Sequence, residues 1–489
     1  MSATTQEDTE RTGDVLATLR EPATIRSRCT AITAAVADGR SGWFTLDRSR
    51  LDAAADRVVA TMQRRFPDGR IPYHSRWRHF EAGARDRKAE LDAALAGRSN
   101  EDRLRAMVDL TVVSVLLDAG AGPNWRYVER PHSAIDRAAL PVQRQRREDL
   151  LAMLDAAAGK AAAVAAVAAE AGEAAEATEA AEGTKGGEAS EPAPPAAPEA
   201  TFTRSEGLGV ASFRAFMEGL FSAQADDRYR ADAATLKLFD ATTLRSVFQV
   251  SNRNPMVGLE GRAGLIARLG SALAEDAHRH GGSARPCRVV ERVTQDFTRR
   301  EVDAAELLRE LLRAFAPIWT SGSSVRGLVA GDVWPHRWAG GDTGDGRSDP
   351  LTTGWVPFHK LSQWLAYSLL EPLQWAGITV TGLDALTGLP EYRNGGLLLD
   401  AGVIVPRAPR DLEQPRKPGD ELVIEWRALT VTLLDELAER VRERLGKTAA
   451  ELPLACVLEG GTWSAGREIA AERRGGAPPL QIDSDGTVF

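Results

Sequence analysis

Three polar side chains near residue 360 have the types and spacing that an active site could use. Lys360, Gln363 and Tyr367 are three and four residues apart, so a helix would place a cation, an amide and a phenol along one face. Leucines recur at helical spacing through the same stretch, which predicts a buried or half-buried helix from Phe358 to about Leu370. Such a face could bind and polarise a small polar substrate.

A carboxylate follows about thirty residues later, in a turn. Glu391 comes directly after Pro390 and shortly before Gly395 and Gly396, and a carboxylate in a constrained turn is a candidate general acid or base. The same residues have a plainer interpretation. The helix face could simply be solvated, and Glu391 with Arg393 could be a surface ion pair worth less than about 1 kcal/mol. The residues alone leave both interpretations open.

Tryptophan is concentrated beside a glycine-rich stretch. The chain has eleven Trp and only five Tyr, and five of the Trp fall between residues 334 and 375, next to the predicted loop 327–350. Tryptophan usually belongs to the core, but a cluster beside such a loop can also form the wall of a pocket and stack on a planar ligand or a sugar. The five residues are Trp334, Trp338, Trp355, Trp364 and Trp375.

Other catalytic chemistries have little support. His74 and His79 are five residues apart, which misses the spacing of a helical metal pair, and His278 and His280 lie at the polar end of a predicted helix. The three cysteines are far apart, and the chain has neither a GxSxG motif nor a phosphate loop ending in GK[ST]. We therefore expect no metal site, no metal or organic cofactor and no disulfide.

Composition excludes several classes of protein. The chain has 489 residues, is 43% hydrophobic and carries a formal net charge of −8, but the eight Glu and two Lys of residues 159–200 account for −6 of that charge. The remainder is nearly neutral, which argues against nucleic-acid binding. No apolar run reaches about eighteen residues and the amino terminus is polar, so we expect no membrane span, no signal peptide and a cytoplasmic protein.

The order of patterns along the chain predicts a mainly α-helical fold with a few short β-strands. We predict a single globular unit made of residues 15–155 and 201–489, a disordered segment 1–14, and a low-complexity Ala/Glu/Pro-rich insertion at 156–200. A central helix is predicted from Arg103 to Leu117 because nearly every side of it is apolar. The best strand candidates are 288–290, Val329, 397–405 and 421–426.

Several motifs resemble the uracil-catabolism protein 4 family, and the resemblance runs from about Leu19 to Phe489 without the insertion. Members of that family are encoded beside a ring-opening cyclohydrolase-like protein and a uracil phosphoribosyltransferase. The motifs are HSRWRHFEAG (74–83), NPMVGLEGRAGL (254–265), HKLSQWLAYSLLEPLQWAGI (359–378), LTGLPEYRNGGLLLDAGV (386–403), LEGGTWSAGREIAAE (458–472) and the closing SDGTVF.

A second resemblance is to the queuosine-salvage nucleosidase family, mainly helical N-glycoside hydrolases. Those proteins carry LYKRAQ, then roughly thirty residues, then LT-x-x-ADYRVPQ; the counterparts here are FHKLSQ (358–363) and LTGLPEYRNGG (386–396). Lys360 and Glu391 are thirty-one residues apart, which suits that layout. The family's Asp is replaced by Glu391 and its VPQ by residues 394–396, so the pocket for the leaving group is expected to differ.

Together the resemblances imply an N-ribosyl hydrolase that acts on a ribosylurea-type intermediate of uracil catabolism. Glu391 would stabilise the oxocarbenium-like sugar and orient or deprotonate water, and Lys360 would bind a 5'-phosphate or keep Glu391 ionised. The residues expected to bind the substrate are Tyr392, Gln363, Arg393, Trp334, Trp364 and His359.

Two alternatives remain. The protein could bind a pathway intermediate, or scaffold neighbouring enzymes, without turnover; it could also be an amidohydrolase that cleaves a ureido group, although the metal-ligand pattern for that reaction is missing. We expect a small ribosyl substrate, in its 5'-phosphorylated form, and association with other uracil-catabolism enzymes, but neither nucleic acid nor a membrane as a partner.

Overall fold

A computed structural model describes residues 16–483 except 119, 123, 130–199 and 321. The chain divides into two compact units, one formed by Met1–Tyr127 with Phe202–Phe489 and the other by Val128–Thr201. The predicted disordered segment 1–14 lies outside the described residues, as does the predicted insertion 156–200 except for Ala200. The boundaries drawn from the sequence therefore stay predictions.

Helices dominate the described residues, which confirms the predicted mainly α-helical fold. None of these helices is both long and apolar enough to cross a membrane. In chain order they are α1 (Pro22–Ala37), α2 (Leu51–Arg65), α3 (Trp77–Phe80), α4 (Arg87–Ala94), α5 (Asn100–Leu116), α6 (Arg204–Met217), α7 (Ala233–Lys237), α8 (Ala241–Val247), α9 (Leu259–His280), α10 (Arg288–Val293), α11 (Ala304–Ala314), α12 (Lys360–Trp375), α13 (Tyr392–Asp400), α14 (Glu421–Leu445), α15 (Leu454–Val457) and α16 (Trp463–Arg474), with a π-helical turn at Leu458–Thr462.

The strands are short and pair two by two. Within the larger unit β1 pairs with β10, β5 with β6 and β7 with β8, all antiparallel, while β4 and β9 are parallel. The strands are β1 (Phe44–Leu46), β2 (Arg126–Glu129), β3 (Ala200–Thr203), β4 (Glu301–Asp303), β5 (Ser324–Val325), β6 (Leu328–Val329), β7 (Val333–Pro335), β8 (Trp355–Pro357), β9 (Thr379–Thr381) and β10 (Ile404–Pro406).

The core is built around long buried helices. The predicted central helix is α5, which begins where Ser99 Oγ accepts a hydrogen bond from Asp102 N (3.1 Å) and is buried without interruption from Ala106 to Leu116. It packs against α6 and α12. Helix α14 packs against α1, α2 and α13, so the helices that carry the candidate site residues rest on the core.

Three predicted strands are helices instead. Residues 288–290 begin α10, residues 421–426 begin α14, and residues 397–400 end α13, with β10 starting only at Ile404. Short runs of β-branched and apolar residues suit a buried strand and a buried helix equally well, and the flanking sequence did not separate the two. Val329 was predicted correctly, because it lies in β6.

Candidate functional site

Helix α12 carries Lys360 as its first residue, immediately after an unusual turn. His359 has φ 48°, in the left-handed region, and its Nε2 donates to the carbonyl of Leu19 at 2.9 Å. Burial lowers the pKa of His359 to about 4, so the imidazole is neutral at physiological pH. The Nε2 of His359 thus holds the amino-terminal segment in place, and the predicted contact of His359 with substrate stays a prediction.

Gln363 and Tyr367 lie on one face of α12, as the spacing predicted, and both are buried. The Gln363 amide donates to Thr387 Oγ1 at 2.8 Å, and the Tyr367 hydroxyl donates to the Thr387 carbonyl at 2.9 Å. These bonds attach the segment before Glu391 to the helix that carries Lys360. Gln363 thus has a positioning role in the structure, and its predicted contact with ribose stays a prediction.

Glu391 caps the amino terminus of α13. Its Oε1 accepts from Asn394 N at 2.7 Å and its Oε2 from Arg393 N at 2.8 Å. A carboxylate at this position also interacts favourably with the positive end of the helix dipole. The side chain is half-buried and its orientation is fixed by two backbone donors, while each oxygen keeps a further lone pair for another contact.

The pKa of Lys360 lies below its usual value. Burial is the main cause and the positive charge of Arg427 adds to it, whereas the negative charges of Glu391, Asp332 and Asp118 act in the opposite direction. Lys360 and Glu391 are therefore within electrostatic range of each other. Their catalytic roles stay predictions.

A buried ion pair supports the start of α12. Both guanidinium ends of Arg427 bond to the Asp332 carboxylate, at 2.7 and 2.6 Å, and the same carboxylate accepts from Lys360 N at 3.0 Å and from Trp334 Nε1 at 2.8 Å. Burial alone would raise the pKa of Asp332, but the Arg427 charge and these bonds lower it to about 2. Trp334, predicted to form the wall of a sugar pocket, thus anchors this pair.

Trp364 lies one helical turn after Lys360, among buried polar groups. Its ring centroid is 5.7 Å from that of His79, 6.4 Å from that of His74 and 5.5 Å from the guanidinium carbon of Arg76. Trp364 Nε1, His79 Nδ1 and Arg76 Nη2 are all buried and have no hydrogen-bond partner among the described residues. We call these three groups the open polar cluster.

Within this cluster Arg76 is charged and His79 is neutral. Arg76 pairs with Asp118 through Nη1 and donates from Nε to Ser114 Oγ at 2.6 Å, so its guanidinium is anchored on one side only. Burial and the charge of Arg76 lower the pKa of His79 well below its usual value. The cluster therefore presents a fixed cation, a neutral imidazole and an indole N–H. Such a set suits a ligand rich in oxygen atoms.

The two residues after Glu391 lie in different surroundings. The Tyr392 hydroxyl bonds to the backbone of Ile482, and burial raises its pKa. Arg393 Nη1 donates to the Gly476 carbonyl at 3.3 Å, and burial lowers its pKa, with the positive charges of Arg204 and Arg467 adding to the effect. Arg204 and Arg467 thus both lie within electrostatic range of Arg393.

Hydrogen bonds join four motifs of the first resemblance, 74–83 to 359–378 and 458–472 to 386–403, whereas the closing SDGTVF (484–489) lies outside the described residues. Trp77 Nε1 donates to the Ser368 carbonyl at 3.1 Å. That carbonyl lacks its usual helical donor because residue 372 is a proline, which explains why α12 continues through Pro372 to Trp375 instead of ending there. Thr462 Oγ1 donates to Asn394 Oδ1 at 2.8 Å, which joins the carboxyl-terminal motif to α13.

Comparison with known proteins identifies the family of this chain. The profile of a family described as "Protein of unknown function (DUF1688)" matches residues 18–150 and 190–489. The chain belongs to this family. It is 35% identical to "Protein urg3" of Schizosaccharomyces pombe, over 91% of this chain and 92% of that protein. It is 32% identical to "Uracil catabolism protein 4" of Lachancea kluyveri, over 92% of this chain and 93% of that protein. The family resemblance read from the motifs is confirmed.

Sequence reasoning missed several residues that the structure places at the site. Asp332 lies in the glycine-rich stretch, where an isolated Asp is unremarkable, and Asp118 closes an apolar helix. Arg427 did carry a signal, because a charged residue in the middle of the apolar run VIEWRAL must find a buried partner. Arg76 lay inside a quoted motif without a role assigned to it.

Proposed function

We propose that this protein is an N-ribosyl hydrolase of uracil catabolism that acts on a ribosylurea-type nucleoside in its 5'-phosphorylated form. The name of the relative from Lachancea kluyveri supports the pathway. The motif layout around Lys360 and Glu391 supports the reaction class, because it resembles that of nucleosidases that release a base from a ribosyl phosphate.

The open polar cluster is the observation that carries the proposal. Buried polar groups in proteins are nearly always bonded to protein or to ordered water, and leaving one without a partner costs about 1–3 kcal/mol. Here the N–H of one indole and two groups beside its ring lack such partners among the described residues, a single turn of α12 away from Lys360. A ribose, with hydroxyl groups that both donate and accept, is a ligand that could satisfy all three.

Glu391 supplies the electrostatic part of the proposed reaction. Cleavage of the bond between C1' and the ureido nitrogen builds positive charge on the sugar, which a nearby carboxylate stabilises. The carboxylate is held by two backbone N–H groups, so little reorganisation is needed when the charge develops. Water then adds its hydroxyl to C1', and its remaining proton ends on the leaving nitrogen, giving ribose phosphate and urea.

The arginines beside Glu391 support a phosphorylated substrate. Arg393 lies within electrostatic range of both Arg204 and Arg467, and a phosphate dianion bound at Arg393 would offset the repulsion between these charges. Lys360 is the second candidate contact for the phosphate. Its lowered pKa reflects burial, so the ammonium would gain more from an anionic ligand than an exposed lysine would.

Incubation of the purified protein with ribosylurea and with its 5'-phosphate tests the proposal. We expect free urea and ribose phosphate, with the phosphorylated substrate preferred. Glu391→Gln keeps the side-chain volume but removes the charge, so turnover should fall at least about a hundredfold, the effect of losing roughly 2.7 kcal/mol of electrostatic stabilisation. Binding of both compounds without any turnover by the wild type would instead favour a non-catalytic binding protein.

Two further variants separate catalysis from helix capping. Glu391→Asp keeps the charge and is a strong helix cap, so it should retain the melting temperature and more activity than Glu391→Gln. Glu436→Gln, on the exposed side of α14 where Glu436 pairs with Arg48, should behave like the wild type. An unchanged rate for Glu391→Gln would show that Glu391 serves only as a cap.

A further inference from the structure

Three side chains that can ligate a metal converge at the start of α14. Suitable ligand atoms of His336, Glu421 and Glu425 all lie within 4.8 Å of one another. Glu421 and Glu425 are one helical turn apart on α14, and His336 directly follows β7. We call these residues the His-Glu-Glu cluster.

Two members of the cluster are buried and incompletely bonded. The side chains of His336 and Glu425 have no exposed surface, and His336 Nε2 and Glu425 Oε1 lack hydrogen-bond partners among the described residues. These two atoms face each other at 3.6 Å, which is too long for a hydrogen bond. Two atoms that each bind an ion at about 2.1 Å in a tetrahedral arrangement are about 3.4 Å apart.

The remaining atoms of the cluster are oriented by neighbouring groups. Glu425 Oε2 accepts from Ser41 Oγ at 2.5 Å, and Glu421 Oε2 accepts from Trp43 Nε1 at 3.1 Å. In known metal sites, hydrogen bonds from neighbouring groups fix the orientation of ligating carboxylates in this way. Arg337 also pairs with Glu421 Oε1 at 3.1 Å. The side chain of Glu421 is more exposed to solvent than that of Glu425.

We propose that the His-Glu-Glu cluster binds one divalent transition-metal cation, with Zn²⁺ as the preferred ion. One neutral imidazole and two carboxylates carry a charge of −2, which a divalent cation neutralises, and mixed nitrogen and oxygen ligands suit Zn²⁺ or Mn²⁺ better than Mg²⁺. If Nε2 of His336 binds the ion, the imidazole proton is on Nδ1. Nδ1 then no longer accepts the hydrogen bond from Trp338 N, which at 3.3 Å is long.

The ion would join three segments of the fold. His336 lies in the glycine-rich stretch 327–350, and the two glutamates lie on α14. The groups that donate hydrogen bonds to the glutamates belong to Ser41 and Trp43. Helix α14 also carries Arg427, two residues beyond Glu425. A bound cation would therefore stabilise the helix that supports Asp332 and the start of α12. This differs from the expectation of a metal-free protein, since the ligands come from distant parts of the sequence.

Calorimetric titration of chelator-treated protein with Zn²⁺ alone, and with Mn²⁺ alone, tests the site. We expect one equivalent of Zn²⁺ to bind and to raise the melting temperature, with Mn²⁺ binding more weakly. Glu421→Gln and Glu425→Gln should each weaken Zn²⁺ binding at least tenfold, whereas Glu436→Gln, a carboxylate change elsewhere on α14, should not. An anomalous diffraction peak should lie about 2.0–2.2 Å from the three ligand atoms.

Absence of binding by the wild-type protein would overturn the proposal. Equal Zn²⁺ affinity in wild type and both cluster variants would overturn it too, because the ion would then bind elsewhere. His336 and Glu425 would in that case form a simple buried ion pair. If circular dichroism shows that Glu425→Gln does not fold, Glu421→Gln decides the question, because its side chain is 38% exposed. None of these measurements depends on hydrolase activity.

Discussion

Two buried arginine–carboxylate pairs lie near Lys360, and they differ in whether both terminal nitrogens of the arginine are hydrogen-bonded. The carboxylate of the Asp332–Arg427 pair accepts four hydrogen bonds, two from the guanidinium and two from Lys360 N and Trp334 Nε1. In the Arg76–Asp118 pair, Nη2 of the arginine is buried without a partner among the described residues.

The difference indicates that one pair supports the structure of α12 and that the other can contact a ligand. A carboxylate whose oxygens are all occupied by protein donors has little capacity left for a ligand, so Asp332 fixes the geometry of α12. A cation anchored on one side only, next to an indole and an imidazole that also lack partners, still has bonds to make. The charges of Arg427, Asp332 and Asp118 all influence the pKa of Lys360, so both pairs act on that residue.

Removing the charge of Asp332 should have the largest effect on stability. Asp332→Asn leaves Arg427 buried without its counter-ion, and breaking a buried pair in this way costs about 3–5 kcal/mol. Urea denaturation followed by circular dichroism measures the loss. Glu436→Gln, which breaks the partly exposed pair with Arg48, should cost less than about 1 kcal/mol. Equal effects of the two changes would remove the distinction drawn for Asp332.

His359 provides a pH test of the same supporting region. Its pKa is about 4 in the folded protein and 6.5 for an ordinary histidine. Between those values the unfolded chain takes up a proton that the folded chain does not. Stability present above pH 6.5 is therefore lost as the pH falls to about 4, by on the order of 3 kcal/mol from this residue.

The variant His359→Asn should reduce that pH dependence. Asparagine tolerates the left-handed backbone conformation at this position and does not titrate. Unfolding free energies measured between pH 7 and pH 4 should fall less steeply in the variant than in the wild type. Other buried groups, His79 among them, also titrate, so the difference between the two slopes is the quantity to compare. Parallel slopes would contradict a neutral buried His359.

The sequence predicted the helix that carries the site better than the bonding partners of its side chains. Leucine periodicity predicted α12, and the spacing of Gln363 and Tyr367 placed both on one buried face, because residues four apart in a helix share a face. The partners of these residues were not predictable in the same way. Asp332 and Arg427 are 95 residues apart in the chain, and only the folded topology brings them together.

Local sequence also failed where two structures fit it equally. The run ELVIEW reads as a strand by composition, yet it begins the 25-residue helix α14, because the apolar surface that decides between the two belongs to α1, α2 and α13. The predicted end of α12, at about Leu370, was also wrong, because the helix continues to Trp375 through Pro372. The missing N–H of Pro372 should weaken α12, but a donor from Trp77, nearly three hundred residues away, takes its place.

Of two tryptophan substitutions that contrast an unbonded indole with a bonded one, Trp364→Phe should have the smaller effect on stability. Trp364→Phe removes an N–H that has no partner among the described residues, so the unfolding free energy should change by no more than about 1 kcal/mol, because relief of the unpaired donor offsets the lost volume. Trp77→Phe removes a similar volume but leaves the Ser368 carbonyl without a donor, which should cost about 1–3 kcal/mol more.

Binding of ribosylurea 5'-phosphate should show the reverse order, with Trp364→Phe the weaker binder. If both variants lose the same stability and bind the ligand equally, the indole N–H of Trp364 is not reserved for a ligand and the open polar cluster is simply imperfect packing.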